Sequence, residues 1–475
     1  MKKLVSLLIL CCSILTAAAQ DIPVPLDPAV RKGILPNGLT YYLRYNNWPE
    51  KRANFYIAQK VGSMQEEENQ RGLAHFLEHM CFNGTTNFPG DRLKKYLETI
   101  GVKFGENLNA YTSFDETVYN IDNVNVEIPG ALDSCLLILH DWSHDLLLED
   151  TEIDKERGVI NEEWRMRSSA MMRMYNVGLP QLYPDSKYGE RLPIGLMDIV
   201  MNFPYDDLRS YYRKWYRPDL QALVIVGDFD VNQMEQKIQQ VFSDIQPAPA
   251  DAAERIYFPV PDNDEPLVTV LKDKEQERTI AYLMWKDDVF PTELKSTLQY
   301  YIYSFATGAM SSMFQDRIRE IMQREDAPFL GASFSRGKFL VAETKDAFNG
   351  VAVCKENQYK EGIQALYREI LRAKRHGFTA SEFERFKAEF LSQLESSYLH
   401  RDKVQSKSYV NEYVQLFLND EPSPGIEWEY DVMNKVVPQV PVEMVNQIIA
   451  QMPDSNFVLA MFMPDKEGIT YPTRD

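Results

Sequence analysis

The sequence predicts an α+β protein of two related domains, each a mainly antiparallel sheet packed against helices. Three observations predict it. Apolar residues alternate with period two in short runs bounded by Gly, Pro and Asn, the pattern of half-buried strands. Between those runs they recur at i, i+3 and i+4, the pattern of amphipathic helices. The order of strands, helices and a closing strand then occurs twice, on either side of the segment QPAPADAAERIYFPVPDND at residues 246–264. That Pro- and Ala-rich polar stretch reads as a linker. A chain of 475 residues is too long for one core, in keeping with the division.

Lys2 and Lys3, an apolar run over 4–15 and Ala17-Ala18-Ala19-Gln20 predict a secretory signal peptide over 1–19, cleaved after Ala19. It is too short to span a bilayer, and no later stretch reaches the roughly 18 apolar residues that a transmembrane helix needs. The first domain is set at 20–245. In it, 30–45 reads as strand, Pro36-Asn37-Gly38 turn and strand, and 53–60 as another strand. Helices follow at 70–82 and 91–100, an extended region at 102–122, and helices at 128–148 and 154–174. Residues 182–205, rich in Gly, Pro and Tyr, read as a long loop. A helix at 206–216, a β-rich run at 222–226 and a helix at 231–242 close the unit. The second domain, 265–475, has predicted strands at 267–271 and 279–286, a helix at 291–324, and strands at 329–334 and 338–344. Helices at 357–375, 380–416 and 440–451 and a last strand at 457–462 complete it.

Composition narrows the function. With 44% hydrophobic and 25% charged residues the chain is ordinary globular protein. A net charge of −19 argues against nucleic acid and anionic membrane surfaces as partners. Beyond the leader only Cys81, Cys135 and Cys354 remain, too few for a disulfide framework, and at least one stays unpaired.

The chemistry concentrates in Arg71 to Phe82, RGLAHFLEHMCF. On a helix His75 and His79 lie one turn apart on one face, and Glu78 points nearly the same way. Leu73, Phe76, Leu77 and Met80 would anchor the other face. Two imidazoles, a third ligand from elsewhere and a carboxylate to take a proton from water are what a catalytic zinc requires. The order H-x-x-E-H is the inverzincin pattern. For the third ligand the best stretch is Glu156 to Glu163, ERGVINEE. Glu156 and Glu163, two turns apart, share a helix face, so one can bind metal while the other steadies a histidine. Read alone, this run is better described as a solvated acidic helix face than as a ligand pair.

Taken together, RGLAHFLEHMCFNGT, GENLNAYTSFDETVY and ERGVINEEW, in that order and spacing, resemble the pitrilysin and insulin-degrading-enzyme family of zinc peptidases. The resemblance covers most of the first domain and implies Zn2+ held by His75, His79 and Glu163. It makes Glu78 the general base and Glu156 a supporting member of the catalytic set. It also places Asn109 and Ala110 beside a peptide substrate received as an added strand. The implied fold is half of a clamshell, similar to the amino-terminal half of the long two-module bacterial members. The implied setting is periplasmic, with a homodimer or a partner half-shell closing the chamber.

Single-module members carry an Arg and a Tyr in the second domain that reach the substrate. Here Arg317 or Arg319 is available, but Phe329 stands where tyrosine is expected. The rival expectation is a non-catalytic shell or capture subunit, which would usually lack one of the four key residues. His140 and His144, also at i, i+4, have no accompanying glutamate and read as packing. Asn83-Gly84-Thr85 fits a glycosylation sequon and reads as a turn.

Overall fold

The computed structural model describes residues 22–473; the predicted signal peptide lies outside them. Sheet one comprises β1 (Val30–Ile34), β2 (Thr40–Tyr45), β3 (Arg52–Gln59), β4 (Leu108–Thr112), β5 (Thr117–Asn125) and β6 (Gln221–Gly227), in the order β1-β2-β6-β3-β5-β4. Its helices are α1 (Leu73–Met80), α2 (Arg92–Thr99), α3 (Ala131–His144), α4 (Asp150–Met166), α5 (Ala170–Leu182), α6 (Met197–Asn202), α7 (Tyr205–Trp215) and α8 (Val231–Val241). Sheet two comprises β7 (Leu267–Asp273), β8 (Ile280–Asp287), β9 (Phe329–Lys338), β10 (Asp346–Cys354) and β11 (Phe457–Pro464), ordered β7-β11-β8-β10-β9. Its helices are α9 (Leu298–Met322), α10 (Tyr359–His376), α11 (Ala380–Leu399), α12 (Ser406–Asn419), α13 (Ile426–Val436) and α14 (Val442–Ala450).

The two sheets repeat one topology. In each, the last strand inserts into the middle of the sheet, β6 parallel to β2 and β11 parallel to β7. Each then pairs antiparallel with the next strand, β3 or β8, and antiparallel pairing continues to the far edge. The duplication expected from element order is therefore visible in pairing and direction, with β1 as the one additional strand.

Both faces of sheet one are covered, and period two sorts its side chains. On β6, Leu223 and Ile225 join the domain's own core with Phe55, Ile57 and α1. The alternate residues Val224 and Val226 meet Val410, Tyr413 and Phe417 of α12, a helix from the second half of the chain. Sheet two receives the reciprocal cover. Leu179 and Leu182 of α5 pack on Leu271, Val458 and Phe462. Each half thus lends a helix to the other's sheet, and burying those apolar faces ties the halves together.

Several expected elements are corrected. The helix predicted over 154–174 is two, α4 and α5, because the chain turns at 167–169 and Ser169 caps α5 by accepting from the Met172 amide at 3.3 Å. The helix predicted over 380–416 likewise splits, since α11 packs at home while α12 must cross to sheet one. Residues 339–344 are a turn, with Leu340 at φ +53°, and Lys338 ends β9; the partner of β9 is β10. The long helix starts at Leu298, α6 lies inside the predicted loop, and α13 was not foreseen. Residues 246–264 have no regular structure, yet they are fastened. Val260 is buried, Lys286 donates to the Pro261 carbonyl, and Lys345 pairs with Asp262 at 2.7 Å.

Candidate metal centre

Helix α1 is short, so its position depends on what holds its ends. At the amino end the Oε1 of Glu66 accepts the amides of Gly72 and Ala74 at 3.0 and 2.8 Å. Gly72 has φ +106°, where a side chain would be strained, and the chain at Gly195 passes so close that a Cβ there would lie 2.2 Å from the Gly72 Cα. Behind the helix Leu73, Phe76 and Leu77 are wholly buried, and Phe76 meets Phe203 edge-on at 4.9 Å. His75 and His79 project from the other face with ring centroids 4.7 Å apart.

Helix α4 brings its carboxylates to that face. Glu163 Oε2 lies 3.6 Å from His75 Nε2 and 3.0 Å from His79 Nε2. Glu156, two turns earlier, sets Oε1 2.7 Å from His79 Nδ1. Glu163 thus lies between the imidazoles and Glu156 behind one of them. Glu78 is buried and accepts from the Thr112 hydroxyl at 2.5 Å. Asn109 and Ala110 lie on β4, the edge strand that also carries Thr112. Their backbone pairs only inward, Asn109 with Asn120 and Ala110 with Tyr119.

The electrostatics of this cluster favour added positive charge. Burial opposes the charged imidazole of His79, but hydrogen bonds to Glu156 and Glu163 outweigh it and push the group up to about 9. Glu163 is held well below the usual carboxylate range, first by the imidazole of His75 and then by that of His79 beside it, against the opposing effect of burial. One ligand atom from each of His75, His79 and Glu163 falls within 4.8 Å of the others. Two imidazole nitrogens and one carboxylate oxygen, with a carboxylate on the far nitrogen of one histidine, fit zinc with a position left open.

Other sequence candidates have structural roles. His140 is buried, 3.0 Å from Asp244 through Nε2 and near Asp141 and Asp145. The oxygens of Asp141 are already taken by Thr85 and by the amide and side chain of Asn87, so this group clamps the turn after α1. His144 is exposed. Arg317 makes a double hydrogen bond to Glu382 at 2.6 and 2.9 Å and is not free to reach a substrate. Arg319 pairs with Asp316, and Phe329 is buried in the second core. The three cysteines are buried and free. Sequence reading missed the roles of Glu66 and Thr112, although Thr112 lies in the very run that holds Asn109.

The chain resembles known proteins in sequence and in fold. Residues 42–185 match the family description "Insulinase (Peptidase family M16)" and residues 202–390 match "Peptidase M16 inactive domain". The "Zinc protease PQQL-like" of Arabidopsis thaliana is 33% identical over 453 residues, 95% of this chain and 44% of that protein. The "Probable zinc protease PqqL" of Escherichia coli (strain K12) is 29% identical over 88% of this chain and 44% of its own length. The crystal structure of the first half of the periplasmic protease PqqL from Escherichia coli superposes with a TM-score of 0.84 at 27% identity, covering 93% of each chain. The chain spans about half the length of the curated relatives it matches. Among the described residues, no helix is long and apolar enough to cross a membrane.

Proposed function

The chain belongs to the insulinase (M16) peptidase family, and we propose from this that it is a secreted, periplasmic zinc endopeptidase, or the zinc-bearing half of one, acting on peptides or small unfolded polypeptides. The observation that carries the reading is the convergence of His75, His79 and Glu163, with Glu78 beside them, from two separate helices. His75, His79 and Glu163 hold the zinc in this reading. When bound, zinc supplies a Lewis acid that polarises a scissile carbonyl and acidifies water. Glu78, steadied by Thr112, takes a proton from the attacking water and returns one to the leaving amine. Glu156 orients His79 through Nδ1 and keeps Nε2 aimed at the ligand position. The outer edge of β4 at Asn109 and Ala110 receives the substrate backbone as an added strand, which aligns it with Glu78.

Periplasmic placement is supported by the predicted leader and by the description of the Escherichia coli relative as a periplasmic protease. A second half-shell, from another copy or another polypeptide region, completes the chamber in this reading; its support is the half-length match to the relatives. The decisive variant is Glu78→Gln, which keeps size and removes the proton acceptor. Cleavage of a peptide library, followed by product mass spectrometry, should fall by about 10² or more in that variant with zinc retained. An unchanged rate would move the base elsewhere. A zinc-loaded wild-type chain without cleavage, even when supplied with a second half-shell, would favour the capture-subunit alternative.

A further inference from the structure

We propose that Asn83 is a positioning residue for the zinc ligand His79, acting through Glu156; the inference rests on the zinc-peptidase reading and extends it one residue outward. Asn83 lies four residues beyond His79, where its amide donates to the Met80 carbonyl at 3.0 Å as α1 ends. Gly84 follows at φ +123°, with the chain at Gly90 packed against it, so the turn that carries Asn83 is fixed. From there the side-chain Nδ2 donates to Glu156 Oε2 at 2.5 Å. The other oxygen of the same carboxylate lies 2.7 Å from His79 Nδ1, and His79 Nε2 lies 3.0 Å from Glu163. One unbroken line of contacts therefore runs from Asn83 to the ligand atoms.

The orientation of the amide is set by a further contact, because Lys94 of α2 donates from Nζ to Asn83 Oδ1 at 3.3 Å. With its oxygen so occupied, Asn83 must present NH2 to Glu156. A neutral donor is suited to this place. Glu156 is 8% exposed and needs a partner for its second oxygen. A Lys or Arg there would draw the carboxylate's charge toward itself, whereas an amide satisfies the oxygen and leaves the negative charge to act on His79. Since the turn that carries Asn83 follows directly on the helix end that carries His79, the hydrogen bond also registers α4 against α1, the two elements that must meet to bring Glu163 to the histidines. This accounts for Asn83 better than glycosylation does. Its Nδ2 is already engaged, and Thr85 of the same sequon is buried against Asp141.

The test is the zinc dissociation constant of the metal-free full chain, measured by competition with a chromophoric chelator. Asn83→Leu should weaken zinc by about tenfold, the low end for groups that orient a ligand from outside. The nearly isosteric Asn83→Asp should weaken it more, because it sets a second carboxylate against Glu156. In a Glu156→Ala background, Asn83→Leu should change affinity by less than about twofold, since the route through Glu156 is gone. Should Asn83→Leu fail to fold, Asn83→Asp carries the same comparison. Zinc binding within twofold of wild type in both variants overturns the inference, as does an undiminished effect in the Glu156→Ala background. A wild-type chain that binds no zinc overturns the peptidase reading itself, so the two failures are distinguishable.

Discussion

Replacing Glu66 by Gln should flatten the dependence of stability on pH between about 5 and 8. Glu66 is 1% exposed; burial raises its carboxyl from the ordinary 4.5 to about 8, although hydrogen bonds from Ala74 and Gly72 pull the other way. Between those values the folded chain holds a proton that the unfolded chain has released. Stability therefore falls as pH rises through this window, then levels off. At 1.36 kcal/mol per pH unit the whole displacement bounds the cost of ionisation at about 5 kcal/mol, and relaxation around a buried charge lowers it. Gln keeps an acceptor for the Gly72 and Ala74 amides and cannot ionise. The variant should match wild type near pH 5 and exceed it by about 2 kcal/mol or more near pH 8. Lys187, brought down to about 8 by burial, and His79, pushed up to about 9 by its carboxylate partners, are common to both proteins, so the difference between the two profiles isolates Glu66. Urea unfolding of both proteins across the range provides the assay. Parallel profiles, or a variant that loses ground as pH rises, would refute the reasoning.

The two glutamates of α4 should separate in metal titrations: Glu163→Gln loses most bound zinc, whereas Glu156→Gln weakens affinity by roughly 10- to 100-fold. The reverse ranking would exchange their roles. Because every expected ligand lies in the first half, the chain alone should fold and bind zinc yet cleave peptides poorly until a second half-shell excludes water and adds contacts. Specific activity across a dilution series, read beside light-scattering mass, checks this, and an efficient monomer would contradict it.

What was legible in the sequence was what depends on local periodicity. The alternation in β3 and the continuous apolar run of β6 announced buried strands, and the H-x-x-E-H spacing placed His75, Glu78 and His79 on one short helix. Distance along the chain hid the rest. Nothing local says that β6 inserts between β2 and β3, or β11 between β7 and β8, because that follows from burying both faces. Nor does helical propensity mark the turns at 167–169 and 400–405, where one amphipathic pattern ends and another, facing a different sheet, begins. Arg317 illustrates the limit: resemblance suggested substrate contact, but Glu382, which also caps α11, takes its Nε and Nη2. At the metal centre the ligand set followed from resemblance, while Glu66, Thr112 and Asn83 are neutral or distant supports that only the fold brings into place.

The central claim is that one chain contributes a complete three-ligand zinc site. Metal content by mass spectrometry, measured on the purified chain and on His75→Ala and His79→Ala variants, tests it most directly. About one zinc per wild-type chain and almost none in either variant is the expected result. Full occupancy in both variants, or no zinc in the folded wild type, would contradict it.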